Sequence, residues 1–139
     1  MAKLKDKIEA EYKNIDKLIS ELPSEEKLPF LQFLELAGVA TLIHNFYNGI
    51  ENIVKLTLKE IDIPLPEGSS WHKNLLKLAE SNGIISKTTL QELGEYLAFR
   101  HFYSHAYALD LYADKLEPLV AKIKEVYSDF KRDISFFVD

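Results

Sequence analysis

Apolar residues recur at spacings of three and four along almost the whole chain, and no stretch alternates convincingly with a period of two. The first spacing puts side chains on one helical face, whereas the second would mark a strand. Leu4, Ile8, Tyr12, Ile15, Leu18, Ile19 and Leu22 predict an amphipathic helix over about 2–22, stopped by Pro23. Pro29 suits a first helical turn, where its missing N–H is not needed. From Phe30 to about Ile61 there is no proline, and Leu34, Ala37, Leu42, Phe46, Ile50, Ile53, Leu56 and Leu58 predict one long helix. Gly38 and Gly49 each weaken that helix by roughly 1 kcal/mol relative to Ala, so close backbone or helix packing is expected at both. Pro64, Pro66 and Gly68 form the clearest loop. Ser69 or Ser70 then caps a short helix through Trp71, Leu75, Leu76 and Leu78, ending near Asn82-Gly83. A fourth helix starts after Ser86, where Thr88 and Gln91 fit a capping box, and runs through Leu90, Leu93, Leu97 and Phe102 to about Ala108. Asp114 and Glu117 fit another, with Pro118 in the first turn of a last helix to about Phe136. The expected fold is all-α: an antiparallel helical bundle of four main helices plus a short one.

Length and charge narrow the function. The chain has 139 residues, read as a single helical domain spanning 1–139. Apolar runs are broken by Glu35, His44 and Asn45 too soon to span a bilayer, so no membrane partner is expected. The lysine-rich start has no apolar stretch of a secretory signal, and the absence of cysteine excludes disulfides and thiolate chemistry. Both fit a cytoplasmic protein. The net charge of −5 argues against a broad electrostatic grip on nucleic acid, which depends on many cations displacing counterions. Any such contact must be local or shared with another subunit; Lys55, Lys59, Lys73 and Lys77 are candidates for a compensating patch.

One segment departs from bundle composition: Phe99-Arg100-His101-Phe102-Tyr103-Ser104-His105-Ala106-Tyr107. The chain has 15 Lys and only two Arg, yet one Arg lies here beside two of the four His. A guanidinium grips phosphate in two places and stays charged; an imidazole exchanges protons near neutrality. Together they are a minimal set for moving protons at a phosphodiester while neutralising its charge. On an ideal helix Arg100 and His105 lie about 140° apart, so one copy makes a wide site. Two copies facing across a two-fold axis would concentrate both pairs in one cleft, which favours a homodimer.

Arg100, His105 and Tyr107, spaced Arg-x4-His-x-Tyr, resemble the signature of the HEPN superfamily, and of its HepT-like ribonuclease toxins in particular. Phe46-Tyr47-Asn48-Gly49-Ile50-Glu51-Asn52-Ile53 resembles that branch's second-helix segment. Trp71-His72 followed by Leu75-Leu76 resembles its third helix, and Ala98-Phe99-Arg100-His101 leads into the motif as the family does. The likeness covers roughly residues 30–110. It implies a metal-independent endoribonuclease with no cofactor, acting on an RNA substrate. His105 would be general base or acid, and Arg100 would stabilise the phosphorane. Tyr107 would position RNA and accept AMP from a nucleotidyltransferase antitoxin. His101 fits the polar position after the arginine. Glu51 and Asn48 are supporting candidates, as polar residues of the long helix able to face the motif.

Other readings share these residues. A silent HEPN module would bind a nucleotide or a nucleotidyltransferase without cutting. His101 and His105, at i and i+4, are spaced for one metal ion, with Glu51 or His44 completing the set. Arg100 and His105 could also be a surface arginine and a helix-end histidine favoured by the dipole. Trp71-His72 reads first as a packing tryptophan beside a satisfied histidine, and Tyr103, Tyr112 and Tyr127 as core or interface aromatics.

Overall fold

The computed structural model describes residues 3–105 and 113–138. Its helices are α1 (Leu4–Glu21), α2 (Phe33–Glu60), α3 (Trp71–Ser81), α4 (Lys87–His105) and α5 (Ala113–Val138), with a 3-10 helix at Glu25–Phe30 between the first two. The described residues contain no strand. The expected all-α bundle of four main helices and a short one is what the chain forms.

The long α2 packs against every other α-helix. Val39, Ile43, Phe46, Ile50, Ile53, Val54 and Leu58 carry its buried face. On one side lies α1, whose stripe of Ile8 and Ile15 is buried, with Leu4, Tyr12, Leu18 and Ile19 partly so. Gly49 is what lets the two helices close up. A Cβ there would stand 2.9 Å from Ile15 Cγ1, nearer than carbon atoms tolerate. Gly38 has no such neighbour, so the expectation of close packing holds at one glycine and fails at the other.

The helix ends follow local chemistry more closely than hydrophobic period. Pro23 keeps Leu22 extended, at ψ 135°, and α1 stops. The predicted long helix starts at Phe33 rather than Phe30. Pro29 sits in the 3-10 helix, Leu31 is extended, and Glu35 accepts a hydrogen bond from the Gln32 backbone N–H at 2.9 Å. Phe30 and Leu34 continue the apolar spacing yet are 85% and 81% exposed, so the period there does not report burial. Gly83, at φ 75°, ends α3 as expected; Ile84 and Gly83 return N–H bonds to the Ala79 and Glu80 carbonyls.

At two starts the capping differs from expectation, although α4 begins just after Ser86 as expected. Ser86, not Thr88, caps α4, its hydroxyl accepting from the Thr89 N–H at 3.1 Å. Asp133 on α5 then accepts from the Ser86 N–H at 2.9 Å and from the Thr89 hydroxyl at 2.6 Å, tying the start of α4 to the end of α5. These bonds outweigh the burial that opposes them and hold the Asp133 carboxyl below its ordinary range. The other start is that of α5, which is already helical at Ala113. Asp114 therefore lies inside the helix and Pro118 in its second turn.

Candidate functional site

Where the last turns of α4 pass the first turn of α3, the two helices enclose a cavity of about 340 Å³. From α4 it is lined by Leu97, Ala98, Arg100, His101, Ser104 and His105, and from α3 and its approach by Ser69, Ser70, His72 and Lys73. On α4 these residues form one face centred on His101 and Ser104, with Arg100 and His105 on its two flanks. The wide angle between Arg100 and His105 is real, but both reach the same cavity. The His101 and His105 rings lie 4.4 Å apart. Tyr107 lies outside the described residues, as does Tyr112.

Behind two of the lining residues, Arg100 and His72, stands α2. His44, Tyr47, Asn48 and Glu51 stand at i, i+3, i+4 and i+7, which is one helical face. It is a polar stripe of which Tyr47 and Glu51 are buried. The Asn48 carbonyl accepts from Arg100 Nε at 3.4 Å. Glu51, only 3% exposed, has Oε2 2.7 Å from His72 Nδ1. Tyr47 is fully buried beside Glu51; burial, then the Glu51 charge, pushes its hydroxyl far above the ordinary phenol range. His44 is turned the other way. Burial, then the Arg100 charge, lowers its pKa, with Glu51 opposing. Its ring stacks on Tyr103 at 4.6 Å, and the Tyr103 and Thr41 hydroxyls pair at 2.9 Å.

Among the expected residues, Asn48 and Glu51 do face the motif: one holds Arg100 and the other holds His72. His101 and His105 line the cavity. Of the proposed lysine patch, only Lys73 does so; the Lys55 ammonium instead lies 4.5 Å over the Trp71 ring. His72 is satisfied on one nitrogen, as a packing histidine would be, yet it also borders the cavity. The sequence reading weighed His44 only as a metal ligand and gave Tyr47 no role of its own. Their signal was the spacing of His44, Tyr47, Asn48 and Glu51 on one face of the long helix. Tyr127 is the core aromatic it was expected to be, donating to Asp16 at 2.8 Å.

The chemistry available is cationic and proton-exchanging. One guanidinium, one ammonium, three imidazoles and three serine hydroxyls line the cavity, and among the described residues no carboxylate does. Ser70 stands at the N-cap of α3 and makes no side-chain cap bond there, so the positive end of that helix borders the same space. A metal centre on His101 and His105 gains no support from the two acceptors suggested for it. Glu51 is engaged by His72, and His44 is stacked under Tyr103. Among the described residues, the three-membered group spaced for a metal is Glu92, Glu125 and Asp129, none of which lines this cavity.

No curated protein and no solved structure matches the chain. A family model, described as HepT-like protein, matches residues 38–139, a span that takes in the polar stripe of α2, the motif and α5. That match covers well over half of the chain and includes every side chain of the site. This protein is therefore a member of the HepT-like family of the HEPN superfamily.

Proposed function

We propose that the α3–α4 cavity cleaves RNA without a metal, and that the protein is the toxin of a HepT-like toxin–antitoxin pair. The ribose 2′-oxygen attacks the adjacent phosphorus as its proton is removed. The bond from phosphorus to the 5′-oxygen breaks, and that oxygen takes up a proton. The products are a 2′,3′-cyclic phosphate and a 5′-hydroxyl. Arg100, steadied by Asn48, neutralises the charge that builds on the phosphorane oxygens. His105 exchanges one of the two protons. Tyr107 positions RNA and is the residue on which a nucleotidyltransferase antitoxin places AMP. Two copies form the working unit, bringing two Arg100–His105 sets to one groove.

The observation that carries this reading is the composition of the cavity. In a chain of net charge −5, the described residues lining it include no acidic side chain and several cationic or titratable nitrogens. A selectively cationic pocket in an acidic protein answers the objection from net charge, because the anion is met locally.

The test is cleavage of single-stranded RNA by purified protein in EDTA. Wild type should cut and leave cyclic phosphate ends. Arg100→Ala and His105→Ala should each lower the rate at least ~100-fold, the range for loss of a charge stabiliser or proton-transfer group, with unchanged thermal unfolding. Full activity in both variants would overturn the assignment. RNA left intact by wild type, with a nucleotide or nucleotidyltransferase still bound, would make the protein a silent binding module.

A further inference from the structure

Asn48 and Glu51 are three residues apart on α2, so their side chains are neighbours on one face. Asn48 holds Arg100, and Glu51 holds His72. The guanidinium and this imidazole, which come from different helices, are thereby tied to neighbouring positions of α2, and both line one cavity. Resting on the RNA-cleavage reading, we infer that His72 is the general base of the reaction and that Glu51 is its positioning residue.

A carboxylate that accepts from Nδ1–H fixes the ring in the tautomer whose Nε2 carries a lone pair, and it stabilises the imidazolium once a proton arrives. His72 has the geometry for such a pairing. Its Nδ1 is 2.7 Å from Glu51 Oε2, its side chain is 20% exposed, and it lines the cavity with Arg100 and His105. The Trp71 ring lies 3.6 Å from the imidazole and limits its tilt. Two contacts thus hold the ring in place and in rotation. A packing role explains less. Burying a carboxylate on the central helix is costly, and an apolar residue of similar volume would serve the core as well or better. What Glu51 supplies in return is an oriented imidazole.

The step balances with the groups present. His72 Nε2 takes the 2′-hydroxyl proton as the 2′-oxygen bonds to phosphorus. His105 gives its proton to the departing 5′-oxygen as that bond breaks. Each imidazole ends in the other's starting protonation state, and exchange with water resets both.

The experiment compares single-turnover cleavage of ordinary RNA with RNA whose scissile 5′-oxygen is sulfur, a leaving group that needs no proton. His72→Gln should lose at least ~100-fold on both substrates, the usual contribution of a general base. His105→Ala should lose as much on ordinary RNA and recover on the sulfur substrate. Glu51→Leu, checked by thermal unfolding, should slow cleavage and move the His72 ring proton from Nδ1 to Nε2, read from ring nitrogen shifts. Wild-type cleavage with His72→Gln unimpaired would overturn this inference alone. So would rescue of His72→Gln by sulfur, which would make it the acid, or an unmoved tautomer in Glu51→Leu. Wild type that cuts no RNA would overturn the cleavage reading itself, and this inference with it.

Discussion

Glu92 shows how one side chain on α4 ties stability to pH away from the proposed site. It is half-buried, one of its oxygens is closed off from solvent, and Asp129 and Glu125 crowd it from α5. Burial first, then Asp129, push its carboxyl from the ordinary 4.5 to about 7. The folded protein therefore holds a proton there that the unfolded chain has released. Stability from this group is present below about pH 4.5 and lost as pH rises through about 7. Glu92→Gln, neutral at every pH, should raise the unfolding midpoint at pH 8 and change little at pH 4. Solvent screens much of the effect, so the gain should be on the order of 1 kcal/mol. Paired thermal melts at the two pH values check it; equal shifts at both would show that the charge is not the cause. Arg132 tempers the cluster, reaching Asp129 at 3.4 Å and Asp133 at 3.6 Å.

At the scale of helices, the two glycines of α2 make opposite predictions from one physical argument. Alanine is better than glycine in a helix interior by roughly 1 kcal/mol. At Gly38 nothing lies within 4 Å of the added carbon, so Gly38→Ala should stabilise by most of that. At Gly49 the carbon would meet Ile15 Cγ1 at 2.9 Å, and Ile15 is buried. Overpacking of this kind costs ~1–3 kcal/mol, enough to reverse the sign. Denaturant midpoints should move in opposite directions for Gly38→Ala and Gly49→Ala. Much of this architecture was legible in the sequence, because α1, α2 and α5 each bury one stripe at helical spacing. What hydrophobic period could not show was where helices begin. Ser86 outcompetes Thr88 as a cap because Asp133, forty-seven residues away in sequence, adds its own bonds. The site was legible in part for the same reason. Arg100 and His105 stand out by residue type, and Asn48 and Glu51 by polarity on a helix. His72, however, reads as an ordinary neighbour of a tryptophan until α3 is laid against α2. Its partner is a long-range fact.

For the whole molecule, the contrast between an acidic chain and a cationic cavity sets how RNA binding should respond to salt. Each phosphate neutralised on a single strand contributes about −0.7 to the slope of log affinity against log salt. The permanent charges lining the cavity are Arg100 and Lys73. One protomer should then give a slope of about −1.4, and two copies sharing a groove about −2.8. The net charge of −5 works in the same direction, because acidic residues outnumber basic ones in the chain and do not extend the footprint. Titrating an uncleaved RNA, with 2′-deoxyribose at the scissile position, across a range of salt concentrations measures this directly. Lys73→Gln should flatten the slope by about 0.7 per protomer. It should weaken all sequences alike, since a lysine reads charge and not base. A slope near −1.4 would mean that one protomer holds the strand alone. A slope much steeper than −2.8 would mean that RNA is gripped by a broad basic surface, and the cavity would lose its claim to be where the anion is met.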